Sequence, residues 1–285
     1  MGNLHYLPDI LPLQDLYNIP LTYILQILHL DISRIFQSAS CCLQNHLKPR
    51  YVYLMFAVSF LVIVLWTCYI LNDLDFNKLS GVFAMTNTNL LLINTIISPV
   101  IIAALASRLA DIELMGNTYK WLSCMQNTKS IFKGKIALGV ICLFFYSLAQ
   151  SIFYVLIGIN LGFYSTAKFI MFFISVFAVM TALFIFQLNF SLWSKNQLTP
   201  LFISIGGTFA GLFSWFLPQY PLRFIIPWGY FCVLCNNGIN YDSVSRYTEY
   251  YWTNYPYLWL IVLIIYIVLQ YMYTCRKFIS EIKEI

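Results

Sequence analysis

The sequence predicts an all-α, polytopic membrane protein with six transmembrane helices, and three observations carry that prediction. Charged residues make up only 9% of the chain against 60% hydrophobic and 18% aromatic residues. A soluble domain carries about 25% charge and needs it to cover its surface. The mean hydropathy of +0.75 fits a chain whose solvent is largely lipid. Finally, six apolar segments each reach the length of about 20 residues that a hydrocarbon core some 30 Å thick requires of a helix.

Those segments lie near 51–71, 89–109, 136–158, 165–193, 199–217 and 257–275. Pro200 stands near the start of its segment, where a missing N–H is best tolerated, and Pro99 falls within the second. The chain divides into an N-terminal cytoplasmic or interfacial segment, 1–50, a six-span domain, 51–275, and a cytoplasmic tail, 276–285. The first twenty residues hold no Lys or Arg and three prolines, so no secretory signal is read there and insertion is expected to be driven by the internal spans. Residues 21–36 are interrupted by His29, Asp31 and Arg34, which suits an amphipathic helix lying in the inner interface.

Orientation follows from the basic residues. Twelve of the sixteen Lys and Arg fall on one side: the N-terminal region, the stretch after span two (Arg108, Lys120, Lys129, Lys133, Lys135), the turn at Lys195 and the tail. Lys78, Lys168, Arg223 and Arg246 fall on the other. By the positive-inside rule both termini and the 110–135 loop are cytoplasmic. The 218–256 loop, rich in Tyr, Trp and Asn, is then outside, and its "PQYPLRFIIPWGY" is expected to form short helices or turns at the outer interface.

Several chemistries are excluded or weakened by what the spans contain. The only Gly-Lys pair, Gly134-Lys135, is followed by Ile136 and lacks the first glycine of a phosphate-binding loop. No span holds an ionisable residue near its centre, which argues against an ion-coupled carrier and against an intramembrane hydrolase. His5, His29 and His46 precede the first span and lack metal-ligand spacing. Cys232-Val-Leu-Cys235 has no second pair to complete a zinc site, so its thiols read as small apolar side chains. Neither catalytic nor metal-binding residues are assigned, and a net charge of +5 is read as orientation and not as nucleic-acid binding.

Two features ask for more than an anchor. Gly206, Gly207, Ala210 and Gly211 lie close together on span five, where small residues four apart let helices approach; packing inside one subunit and a dimer seam both satisfy that spacing. The stretch "RLADIELMGNTYKWLSCMQNTKSIFKGK", 108–135, mixes Trp121, Leu122, Met125, Ile131 and Phe132 with its lysines. That pattern describes an amphipathic helix at the cytoplasmic face, its lysines wet and its apolar groups buried against the membrane or a partner.

The same residues carry a family likeness. "DIELMGNTYKWLSCMQNTKSIFKGKIAL" resembles the cytoplasmic segment of ABC-2 type exporter permeases, through Glu113, Asn117, Thr118, Lys120, Trp121, Leu122 and Lys135. "FQLNFSLWSKNQLTPLFISIGGTFAGLF" followed by "LRFIIPWGYF" looks like the fourth and fifth spans and outer Pro-Trp of lantibiotic-immunity permeases, through Lys195-Asn196, Gly211 and Pro227-Trp228. The likeness covers about 51–275 and departs at the N-terminus, where the family usually begins with a short basic helix.

The resemblance implies a bacterial cell-membrane permease that expels a hydrophobic or membrane-active peptide. ATP and Mg would be bound by a separate ATP-binding subunit, with no cofactor on this chain and no enzymatic activity of its own. A second six-span permease or a second copy would complete the complex. The segment between spans two and three would be the coupling helix, carrying Glu113, Asn117, Thr118, Lys120, Trp121 and Leu122, and Pro227, Trp228 and Tyr230 would lie near peptide release. The alternative from another class is a non-transporting membrane anchor or sensor, or a lipid-acting membrane enzyme.

Overall fold

The computed structural model describes residues 49–72, 79–114, 128–163, 165–194, 198–217, 221–242 and 247–283. The expected interfacial helix at 21–36 lies outside them. Among the described residues six helices are long and apolar enough to cross a membrane: α1 (Pro49–Asn72), α2 (Leu79–Leu114), α3 (Thr128–Asn160), α4 (Thr166–Ser194), α5 (Leu198–Phe216) and, last in the chain, α8 (Tyr257–Lys283). Between α5 and α8 come the short helix α6 (Leu222–Ile225), a 3-10 turn (Pro227–Gly229), α7 (Tyr230–Val233), and an antiparallel hairpin of β1 (Asn237–Asp242) and β2 (Tyr247–Trp252). Successive spans alternate in direction. One end of the bundle therefore carries Arg108, Lys129 and Lys277 and is called the basic end; the other is the hairpin end.

The bundle is organised around α2. Seventy-two per cent of its apolar window is buried, against 11% for α8, and it packs on α1, α3, α4 and α5. α4 is the second interior helix, packed on α3, α5 and α8 as well. α1, α5 and α8 each keep one face open, lined by side chains such as Leu61, Phe209 and Leu269. In a bilayer such faces are the lipid contact. Among the described residues the core is aromatic to an unusual degree. Phe83 stacks on Tyr154 at 4.6 Å and meets Phe163 and Phe169, so α2, α3, the α3–α4 turn and α4 share one cluster.

Local chemistry explains where helices stop. α3 ends at Gly162, whose φ of 70° is the left-handed conformation that glycine adopts without a Cβ penalty. There Phe163 N–H donates to Gly158 O and Gly162 N–H to Ile159 O, the paired bonds that close a helix C-terminus. Close approach of α3 to α4 depends on Gly139, where a Cβ would overlap the Phe184 ring.

Two expectations about boundaries change. Span two begins about ten residues earlier than the hydropathy pattern suggests, at Leu79 instead of 89, and runs as one helix to Leu114. Its first turns hold Thr86, Asn87 and Thr88, which lower the hydropathy of the stretch but are all buried and hydrogen-bonded. Span three likewise begins at Thr128 and not at 136. The amphipathic segment expected over 108–135 thus shortens to residues 115–127 between two helix ends, and those residues lie outside the described ones.

Candidate functional site

The site most distinct from an ordinary apolar bundle is a ladder of uncharged polar side chains on α2, together with the segment 221–236 that folds against it. Thr86, Thr88 and Thr95 each donate to the carbonyl four residues back, which removes their own polarity from the interior. Asn94 reaches further. Its amide donates to Leu90 O and to Gln150 Oε1 on α3, both at 2.8 Å, and its carbonyl accepts from Ser98 Oγ at 2.8 Å. Thr95 Oγ1 also accepts from Trp215 Nε1 on α5 at 3.0 Å. At the next helix pair, Ser59 on α1 and Tyr146 on α3 share a 2.9 Å bond. Amide and hydroxyl pairs of this kind hold membrane helices in register at about 0.6 kcal/mol each, with maxima near 1.7.

At its hairpin end the ladder is clamped by the connection that follows α5. Asn87 donates to Asn236 Oδ1 at 3.0 Å, and Asn237 donates to both Ala84 O and Thr88 Oγ1, at 2.6 and 2.9 Å. Gly81 faces β2, where a Cβ would stand in ordinary contact, 3.4 Å from Tyr250 O. Lys168, at the start of α4, lies 3.5 Å from the Trp252 ring centre and 4.9 Å from that of Phe163, tying the hairpin to the α3–α4 turn by cation–π attraction.

Between α5 and the hairpin the chain turns into the bundle. Pro227, Trp228, Gly229 and Tyr230 are all buried. Gly207 takes the Trp228 indole, because a Cβ there would overlap the ring and stand 2.5 Å from Cδ2. Gly211 makes room for Thr95 Cγ2 and Trp228 O, at 2.7 and 3.1 Å from its notional Cβ. Phe186 of α4 meets the same indole edge-on at 5.1 Å. Nine residues separate Gly207 from the basic end of the 19-residue α5, so the Trp228 indole sits about 14 Å from that end of a helix about 28 Å long. The segment is re-entrant: it enters and leaves at the hairpin end, its backbone turns beside Gly211 about 8 Å from that end, and only the indole reaches mid-depth. Irregular backbone survives there only where protein surrounds it and its polar groups are paired. Gly229 N–H to Ile226 O, Leu234 N–H to Tyr230 O and the Tyr230 hydroxyl to Phe224 O supply that pairing.

Trp228 and Tyr230 were expected at the outer interface beside a release point; they are 6% and 4% exposed, inside the bundle. Gly207 and Gly211 contact this segment and α2, whereas Gly206 on the same helix has open space beyond it. Glu113 falls on the last turn of α2, but its side chain, with Asn117, Thr118, Lys120, Trp121 and Leu122, lies outside the described residues. Lys135, expected to be wet, is 1% exposed. Its ammonium donates to Leu109 O at 2.7 Å and lies 6.0 Å from the Phe278 ring centre, so one lysine joins α2, α3 and α8 at the basic end. Cys232 and Cys235 are free thiols. They face different helices: the Cys232 thiol points to Ser214 O of α5, and Cys235 pairs with Thr88 of α2. Burial pushes both thiols up, Cys235 to about 12, the opposite of a reactive thiolate.

The α2 ladder is what sequence reasoning missed. Its signal was present in "TNTNLLLINTIIS", where polar residues recur through an otherwise apolar run.

Among the described residues, six long apolar helices, a helical interior and no large sheet define the class: an all-α, multi-pass membrane protein. No family model, curated protein or solved structure matches this chain, so within that class the functional reading rests on the residues themselves.

Proposed function

We propose that the chain is the permease subunit of an ABC-2 type exporter in a bacterial cell membrane, expelling a hydrophobic or membrane-active peptide as in lantibiotic or bacteriocin self-immunity. The observation that carries this reading is an interior rich in hydrogen-bonding groups but nearly free of charge. Among the described residues Lys135 is the only charged side chain in the buried set, and it lies at the basic end. A carrier driven by protons or sodium places carboxylates in its spans. Among the described residues such groups are missing from the buried set, which supports a drive supplied by a partner that hydrolyses ATP. The likeness of 108–135 to a coupling segment names where that partner docks.

In this reading Glu113, Asn117, Thr118, Lys120, Trp121 and Leu122 receive the closing motion of the ATP-binding subunit at the basic, cytoplasmic end. Lys135 ties the adjoining helix ends together. Pro227, Trp228 and Tyr230 act from inside the bundle as the packed base of the outer segment, without touching cargo at the surface. A second six-span permease, or a second copy, completes the pathway, and the open faces of α1, α5 and α8 meet it or lipid.

Affinity purification of the full chain from its native membrane, followed by ATPase assay and mass spectrometry, tests the partner directly. An ATP-binding subunit should co-purify. Trp121→Ala combined with Glu113→Lys should abolish stimulated ATPase and peptide export while membrane insertion stays normal. Export at the wild-type rate in that variant would sink the assignment.

A further inference from the structure

Arg223 is a cation held against groups that do not answer its charge. It lies on the short helix α6, partly buried, with its guanidinium carbon 4.8 Å from the Phe224 ring centre. The guanidinium bonds the Cys232 thiol, which itself donates to Ser214 O. Among the described residues no carboxylate pairs with Arg223, and its Nε is buried without a partner. Arginine presents five N–H donors in a planar fork and keeps its charge at any physiological pH, so a ring and a thiol leave that charge unbalanced. Its place is nonetheless fixed. A Cβ on Gly229 would stand 2.6 Å from Arg223 Cα, so the re-entrant turn rests on the Arg223 backbone, and the Tyr230 hydroxyl donates to the next carbonyl, Phe224 O.

The same contacts set its depth. Ser214 is two residues from the hairpin end of α5. Trp259, on which Phe224 stacks at 4.1 Å, is two residues from the hairpin end of α8. Both partners of Arg223 thus touch their helices about 3 Å inside the ends. Phe216 at the end of α5, Leu258 beside Trp259 and Ile225 beside Phe224 are apolar and 66–71% exposed. Hydrocarbon therefore reaches up to this level, and lipid phosphates lie just beyond it. Phosphate matches the guanidinium fork bidentately and carries the missing negative charge. A free anion would supply the charge but leave the exposed apolar side chains around it unused.

We propose that Arg223 binds the phosphate of a phospholipid in the leaflet at the hairpin end, with the acyl chains following the exposed side chains at the ends of α5 and α8. A headgroup held there braces the re-entrant segment, because Gly229 rests on the Arg223 backbone. The site stands independently of the exporter reading, since it depends on no ATP-binding partner.

Native mass spectrometry of the delipidated full chain in detergent tests it, with phosphatidylglycerol and a diacylglycerol of the same acyl chains as probes. The parent should bind phosphatidylglycerol about tenfold or more tighter than diacylglycerol, the worth of one hydrogen bond between charged groups, and inorganic phosphate should not displace it. Arg223→Gln should lose the preference, and Arg223→Lys, which keeps the charge without the fork, should fall between the two. Lys168→Gln, which removes the other described cation of the hairpin end, should leave it unchanged. No preference in the parent, or the parent's preference in Arg223→Gln, overturns the proposal; where Arg223→Gln does not fold, a preference in Arg223→Lys equal to the parent's does the same. Displacement by inorganic phosphate would make this a free-anion site, and an equal loss in Lys168→Gln would reduce it to general charge attraction; either result overturns the lipid assignment.

Discussion

Adding one methyl group at Gly207 isolates the seat of the re-entrant tip. The new Cβ would overlap the Trp228 indole. The ring is hemmed in by Phe186 on its other side and its backbone by Gly211, so it has little room to retreat. Overpacking of this kind costs about 1–3 kcal/mol, reduced by up to about 1 kcal/mol from the better helix propensity of alanine. Gly206→Ala gains the same propensity with nothing within 4 Å of its Cβ. The adjacent pair should therefore differ by about 2 kcal/mol, or about 4–8 °C in melting temperature for a chain of this size. Thermal unfolding in detergent, followed by intrinsic fluorescence, reads the difference. Combining Gly207→Ala with Trp228→Ala should cost less than the two separate penalties, because the first then clashes with nothing. Equal melting of Gly206→Ala and Gly207→Ala would refute the placement of Trp228.

Three further outcomes follow from the geometry. Asn94→Leu, Gln150→Leu and the double variant should show a coupling of about 0.6–1.7 kcal/mol in an unfolding cycle, the range for interhelical amide pairs in membranes. Lys135→Met should destabilise the basic end by about 1.5–3 kcal/mol, the worth of a hydrogen bond to a charged group. Hydrogen exchange should locate that loss at the 109–114 and 128–135 helix ends. Burial raises the Cys235 thiol and so disfavours the reactive thiolate. Maleimide should leave it unmodified at pH 7 until the protein is unfolded, and alkylation in the folded state at the rate of a free thiol would contradict its burial against Thr88.

The spans were legible because lipid imposes a simple ruler on α1, α4 and α8, whose apolar runs are unbroken. The ruler failed at the start of α2, where buried Thr86, Asn87 and Thr88 are polar; Thr86 bonds the carbonyl four residues back, while Asn87 and Thr88 are paired with groups about 150 residues away. No local window contains that pairing. The re-entrant tip escaped for a related reason. "LRFIIPWGYF" is too short to span and too apolar to stay in water, a combination that reads equally as an interfacial loop until the glycines of α5 are seen to make room for it. Lys135 could have been placed: it lies three and four residues from Phe132 and Ile131, on a face the structure shows to be buried. Its charge argued for solvent, and the Leu109 carbonyl supplied the missing partner.

The clamp between α2 and the far end of the segment that follows α5 also sets an order of assembly. Asn87 and Asn236 are 149 residues apart, so during synthesis at 5–20 residues per second the polar first turns of α2 wait roughly 7–30 s for their partners. Through that interval the Asn87 amide lacks its partner, whereas the Thr86 and Thr88 hydroxyls already have the carbonyls four residues back. The contact that seats the start of the second span against the segment following α5 is therefore among the last in the bundle to form.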